Sequence, residues 1–167
     1  MIILIFGIKV ELKQQCRFIL NWIIHNWIMT VKTQIIKIQS KNENYMVDVT
    51  EHVLNAISDS GIVNGIVTVF VKGSTGAIIT IEYEPGLIKD FPDMLSRIVP
   101  KDLEYGHEEM WHDGNGRSHV KASLVSPSLT IPFTEKMLCL GTWQQIVFVE
   151  FDIRKRNREI ILQIIGE

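Results

Sequence analysis

The stretch of this 167-residue chain that most limits its fold is Ile66-Val67-Thr68-Val69-Phe70-Val71, a nearly unbroken run of β-branched and aromatic side chains. Branching at Cβ disfavours a helix, and a run this apolar predicts a central strand covered on both faces. Gly73-Ser74-Thr75-Gly76 breaks it, and Ala77 to Glu84 resumes as another strand. Upstream, Val31 to Ile38 and Tyr45 to Val49 are β-rich around the polar turn Lys41-Asn42-Glu43-Asn44, which reads as an opening hairpin. Downstream, His119 to Val125, Ser128 to Ile131, Met137 to Leu140, Gln145 to Asp152 and Glu159 to Ile165 add strands in quick succession. That many consecutive runs point to a mainly antiparallel β-sandwich, jelly-roll-like in outline.

Two helices flank these strands and make the class α+β. Val53, Leu54 and Ile57 form an apolar stripe that Asp48 or Thr50 can cap, with Gly61 at the stop. His52, in its first turn, reads as a surface histidine. Between Gly86 and Val99, Leu87, Ile88, Phe91, Leu95 and Ile98 recur at helical spacing, Pro92 marks a start or kink, and Pro100 ends the segment.

Residues 1–28 stand apart from the single domain expected over 29–167. They are rich in Ile, Leu, Phe and Trp, yet Lys9, Glu11, Lys13 and Arg17 interrupt every run before it reaches the roughly 20 apolar residues of a membrane span. Leu20, Ile23, Ile24 and Trp27 are spaced for an amphipathic helix over 11–28, and an upstream-start artefact with Met29 as the natural start is the alternative. A net charge of −2 argues against a sequence-independent nucleic-acid binder, which needs a basic surface. Cys16 and Cys139 have no CxxC partner, so neither a disulfide framework nor a zinc ribbon is indicated, and a reducing cytoplasm is the expected location.

Chemistry concentrates between Tyr105 and Glu150. His107, His112 and His119 fall in one turn-rich segment containing Asp113-Gly114-Asn115-Gly116, whose glycines permit tight turns. Neutral imidazole is a common ligand of divalent metals, so the three histidines, completed by Asp113, Glu82 or Glu150, form a candidate site for zinc or magnesium. Taken singly, each is an ordinary solvated loop side chain. His119, Lys121 and Ser123 alternate with Val120, Ala122 and Leu124, the signature of a two-faced strand. Glu150 shares a strand face with Gln144, Ile146 and Phe148; burial there would suit it to acid–base work, or an arginine would hold it in place. Gly141-Thr142-Trp143-Gln144 reads as a bend carrying a polar group into a pocket, with Trp143 packed in the core. Cys139 reads as a buried strand residue. The basic connection from Asp152 to Arg158 reads as a solvated turn, or as a place where Arg154, Arg156 or Arg158 meets a phosphate.

His119-Val120-Lys121-Ala122-Ser123-Leu124, Pro127-Ser128, Ile131-Pro132, Leu140-Gly141-Thr142-Trp143-Gln144 and Phe148-Val149-Glu150 together resemble the signature of the YjbQ-like family, often labelled secondary thiamine-phosphate synthase. The resemblance runs from about Thr30 to Glu167. It implies a β-rich homotrimer in the cytoplasm whose polar pocket takes a small phosphorylated metabolite, and an enzyme joining a pyrimidine pyrophosphate to a thiazole phosphate. His107, His119, Glu150 and Glu82 are then the catalytic candidates. Gln144, Ser74, Thr75 and Arg156 are the binding candidates, and His107, His112 and His119 the metal ligands. Two departures stand out. Gly73 occupies the place of a family histidine, and Lys136 that of a turn glycine. A non-catalytic trimeric binder of a metabolite or metal, and a metal-dependent hydrolase, are the alternatives.

Overall fold

The computed structural model describes residues 2–5, 8–11 and 29–167. Strands β1 (Ile2–Ile5) and β2 (Ile8–Glu11) pair antiparallel, Ile2 opposite Glu11. The helix expected over 11–28 thus begins on a strand residue and otherwise lies outside the described residues.

The body follows as β3 (Thr30–Gln39), β4 (Tyr45–Asp48), α1 (Thr50–Ser60), β5 (Gly65–Val71), β6 (Gly76–Ile81) and α2 (Pro85–Ile98). It continues as α3 (His107–Trp111), α4 (Gly116–Val125), β7 (Ser128–Thr134), β8 (Met137–Leu138), β9 (Gln145–Glu150) and β10 (Asn157–Gly166). A five-stranded sheet runs in the order β3-β10-β5-β7-β8 and a three-stranded sheet in the order β4-β9-β6, with every pairing antiparallel. The class is α+β as expected. No helix among the described residues is long and apolar enough to cross a membrane.

Two apolar layers hold the body together. Val67, Val69 and Val71 on β5 and Ile160, Leu162 and Ile164 on β10 face Ile78, Ile146 and Phe148 of the smaller sheet, and α1 adds Val53 and Ile57. The other face of the smaller sheet, with Ala77, Val147, Val149 and Phe151, packs on Leu95 of α2 and Ala122 of α4. Burying each large aliphatic side chain is worth about 1.5–3 kcal/mol, so β9, apolar on both faces, is the strand the two layers share. Asp48 anchors α1 by accepting from the Thr50 amide at 2.8 Å and its hydroxyl at 2.6 Å, and Gly61 closes it at φ 78°.

Several expectations change. The chain has four helices among its described residues rather than two, and the segment read as a strand from His119 to Val125 is helix α4. The alternation there matched side-chain polarity, whereas burial follows a helical period through Ser118, Lys121 and Ala122, leaving Val120 and Leu124 exposed. Strand β5 is covered on one face only: Val67, Val69 and Val71 are fully buried while Ile66 and Phe70 are exposed. Cys139 is exposed, because β8 ends at Leu138. Trp143 is 68% exposed instead of filling the core, since the turn ending at Gln144 precedes the buried part of β9. Glu135 and Lys136 both take positive φ, 52° and 64°, and so form the two-residue turn between β7 and β8 that glycine usually favours.

Candidate functional site

Register decides which polar side chains meet. Gly76 of β6 lies opposite Glu150 of β9, and the Phe151 amide donates to the Thr75 carbonyl at 2.8 Å, so the Gly73–Thr75 loop lies along the end of β9. Glu150 continues the core-facing row of Ile146 and Phe148, and Arg158 begins that of Ile160, Leu162 and Ile164. The folding that buries those aliphatics therefore buries both charges. They meet as a two-pronged pair: Arg158 Nε donates to Glu150 Oε2 at 2.7 Å and Nη2 to Oε1 at 2.6 Å. Arg158 Nη2 also donates to Thr75 Oγ1 at 2.6 Å, and Thr75 Oγ1 donates on to Asp152 Oδ2 at 3.1 Å.

Asp152 gathers the next ring of donors. Its Oδ1 accepts from the Arg154 amide at 2.9 Å, and its Oδ2 from Arg156 Nε at 2.7 Å and Asn115 Nδ2 at 3.3 Å. Burial pushes its carboxyl up, but the Arg154 amide and the Arg156 and Asn115 side chains outweigh that and hold it below the ordinary carboxylate range. The Glu150 carboxylate is taken up in the same way, its Oε1 accepting also from the Asp152 amide at 2.9 Å.

Helices α3 and α4 bring in the histidines. Glu108 of α3 accepts from the Gly114 amide at 2.7 Å and the Gly116 amide at 2.8 Å, tying the intervening loop across the start of α4. Those two amides hold the Glu108 carboxyl below its ordinary range. Gly116 permits the approach, because a Cβ there would come within 2.8 Å of Tyr105 Cβ. The closure sets the His107 and His119 rings 4.6 Å apart at 42°, with His107 Nε2 at 3.5 Å from Asp113 Oδ1. On its other side α4 is anchored to the β3–β4 turn: Glu43 accepts from Arg117 Nη2 at 2.8 Å, Arg117 Nε at 3.1 Å and buried Lys121 Nζ at 3.0 Å. Burial alone would raise the Glu43 carboxyl, and these bonds bring it below its ordinary value.

The result is a cleft of about 380 Å³ lined by Gly73, Ser74, Thr75, Asp113, Asn115, His119, Asp152, Arg156, Asn157 and Arg158. Of the residues singled out from the sequence, it brings together Ser74, Thr75, Asp113, His119 and Arg156, with the His107 ring tilted against that of His119 and Glu150 paired with Arg158. Glu82 and Gln144 lie elsewhere. They flank the Ile81–Gln145 pair at the far end of the β6–β9 ladder, about 20 Å from the Gly76–Glu150 pair at strand spacing. Gln144 turns its Oε1 back onto the Gly141 amide at 2.7 Å. His112 is exposed, caps α3 at φ 49° and does not join the other two histidines. Among the described residues, no three His, Cys, Asp or Glu side chains stand close enough to hold a metal ion, so the three-histidine centre is not formed.

Arg158, Asp152 and Asn115 are the cleft residues that sequence reasoning passed over or left among alternatives. A signal for the first was present: Glu150 and Arg158 are opposite charges at core-facing positions of the strands on either side of one connection.

A sequence profile of the family described as UPF0047 protein YjbQ-like matches residues 34–167. The chain belongs to that family. A UPF0047 protein of Methanothermobacter thermautotrophicus is 39% identical over 139 residues, covering 83% of this chain and 95% of the relative. One from Methanocaldococcus jannaschii is 36% identical, covering 78% of this chain and 92% of the relative. Among solved structures, a YbjQ-like protein of unknown function from Sulfolobus solfataricus superposes with a TM-score of 0.78 at 32% identity, over 84% of this chain and all of that one. A hypothetical protein from Aeropyrum pernix gives 0.73 at 30% identity, over 81% and 99%. The YjbQ-like fold thus accounts for the body of the chain, and none of these names states a reaction.

Proposed function

We propose that the cleft binds a small phosphorylated metabolite and that His119, backed by His107, moves a proton at it. One observation carries the reading: the buried carboxylates are engaged from within, and apart from the Asp113 carboxylate the cleft residues leave mainly donors uncommitted. Glu150 and Asp152 accept from Arg158, Arg156, Thr75, Asn115 and two backbone amides. The Nη atoms of Arg156, Nη1 of Arg158 and the amides of Gly73, Ser74 and Thr75 donate to no acceptor among the described residues. Guanidinium groups and clustered amides around one cavity suit a phosphate.

The resemblance to secondary thiamine-phosphate synthase fits this chemistry in outline. Joining a pyrimidine pyrophosphate to a thiazole phosphate forms a C–N bond from the thiazole nitrogen's lone pair to the pyrimidine methylene carbon as the C–O bond to pyrophosphate breaks, which needs a cation where pyrophosphate departs and is helped by an acid that protonates it. Arg156 supplies the cation and His119 the acid. Glu150 is a support for Arg158 in this scheme and not a base. That engagement favours a second reading, a binding module without turnover, in which the imidazoles only orient the ligand. The expected homotrimer is consistent with the exposed Val31, Ile35, Ile66 and Phe70 on the outer face of the larger sheet.

The test is calorimetric titration with inorganic phosphate, followed by assay of pyrophosphate release from the paired substrates, with solution mass measured alongside. Binding that weakens about tenfold in Arg156→Ala, equivalent to ~1.4 kcal/mol, supports the cleft. Release lost in His119→Ala supports catalysis, whereas binding without release leaves the binding module. Wild-type protein that takes up no phosphate overturns both.

A further inference from the structure

Gly73 lines the cleft beside Arg158. It takes φ +113°, and a Cβ built on it would stand 2.5 Å from Arg158 Nη1, closer than any real contact allows. The arginine cannot simply swing aside. Its Nε and Nη2 are held on the two oxygens of Glu150, Nη2 is also held by Thr75, and the residue is almost wholly buried. A guanidinium is planar and its donors point in fixed directions. With the Nε–Nη2 edge committed to the carboxylate, Nη1 is the corner directed away from it, lodged against the bare Cα of Gly73.

We infer that Arg158 Nη1 is the donor that fixes one oxygen of a terminal phosphate in the cleft, and that the missing side chain at Gly73 makes this contact available. The inference rests on the phosphate-binding reading and names its specificity-determining residue. The ligand class follows from where donors remain. Arg158, the Gly73–Thr75 loop and Arg156 line the same cavity from a strand, a loop and a connection, and their uncommitted donors suit several oxygens of one tetrahedral group. A monoester's terminal phosphate offers three such oxygens, more than a bridging phosphate can.

The experiment is titration with sulfate, a tetrahedral probe of fixed charge, on wild type, Gly73→Ala, Arg158→Lys, their double variant and Arg156→Ala, each checked for folding by circular dichroism. The expected result is a roughly tenfold loss of affinity in Gly73→Ala and in Arg158→Lys, with no further loss in the double variant, since either change removes the same donor. Lysine preserves the charge toward Glu150 but not Nη1. Additive losses would show that alanine at 73 acts through the loop backbone and would overturn the inference. So would unchanged affinity in Gly73→Ala, the deciding variant if Arg158→Lys does not fold. If wild type binds sulfate and only Arg156→Ala loses it, the cleft reading stands and the role of Gly73 fails. If wild type binds neither sulfate nor phosphate, the cleft reading itself fails.

Discussion

Replacing Glu150 with glutamine tests whether the ion pair supports the whole end of the molecule. Glu150 is fully buried and Arg158 nearly so, and three hydrogen bonds converge on the two carboxylate oxygens. Glutamine keeps the shape but puts an NH2 where one oxygen faced an arginine N–H, so a donor meets a donor and a buried positive charge loses its two-pronged partner, leaving only Asp152 Oδ2 at 4.0 Å from Nη2. Breaking one side of a buried pair costs about 3–5 kcal/mol, a large share of the about 5–15 kcal/mol that holds a typical domain folded. For a chain of this length each kcal/mol moves Tm by roughly 2–4 °C, which puts the expected drop at about 6–20 °C. Thermal unfolding followed by circular dichroism, with urea titration for the free energy, measures it. In Glu150→Gln/Arg158→Gln the uncompensated charge is gone, so the double variant should be more stable than the sum of the single losses by about 1–3 kcal/mol. A drop below about 3 °C, or additive losses, would mean that water in the cleft already solvates Arg158 and that the pair is not a structural keystone.

Two smaller perturbations probe other parts of the same reasoning. Asp152 has a folded pKa below its unfolded value of about 3.9, so its contribution to stability is present above that pH and is lost as pH falls through the lower folded value. Asp152→Asn should therefore be less stable at neutral pH and lose less on acidification, measured as Tm against pH from 7 to 3; parallel curves would refute the assignment. Lys136 sits at φ 64°, a conformation costing a residue with Cβ about 1–2 kcal/mol, and its amide bond to the Val63 carbonyl at 2.8 Å survives in glycine. Lys136→Gly should gain about 0.5–1 kcal/mol after the greater freedom of the unfolded chain is counted, and a lower urea midpoint would contradict it.

The strands were legible wherever an apolar run ended in turn chemistry. Ile66 to Val71 stops at the Gly73–Gly76 break, and the Lys41–Asn44 turn separates β3 from β4, so these elements appear close to their expected bounds. Helix α1 was equally plain, with its Asp48 anchor, apolar stripe and closing Gly61 all in local sequence. How completely a strand is covered was not legible, because that depends on which layers lie over it. β5 is as apolar outside as inside, and only the sheet order shows that its inner face alone meets β9 and β6.

The site was half legible for a related reason. Local composition marked the histidine segment, and His107 and His119 do meet, but the element carrying His119 was misassigned because α4 buries polar residues. A helix usually turns its apolar face inward, yet here Ser118 and Lys121 point inward beside Ala122, the lysine toward Glu43, while Val120 and Leu124 face out. An apolar count therefore sees a two-residue period and misses the helical one. Gln144 was grouped with Glu150 by a shared strand face and Glu82 by the family resemblance, whereas on a ladder with two-residue periodicity the deciding quantity is which end of the strand a residue occupies. The same parity rule, applied to the two strands around the Asp152–Asn157 connection, places Glu150 and Arg158 on core-facing rows. Two opposite charges that folding must bury side by side can persist only as a hydrogen-bonded pair. That pair fixes where Nη1 is left pointing, and with it the chemistry the cleft can offer.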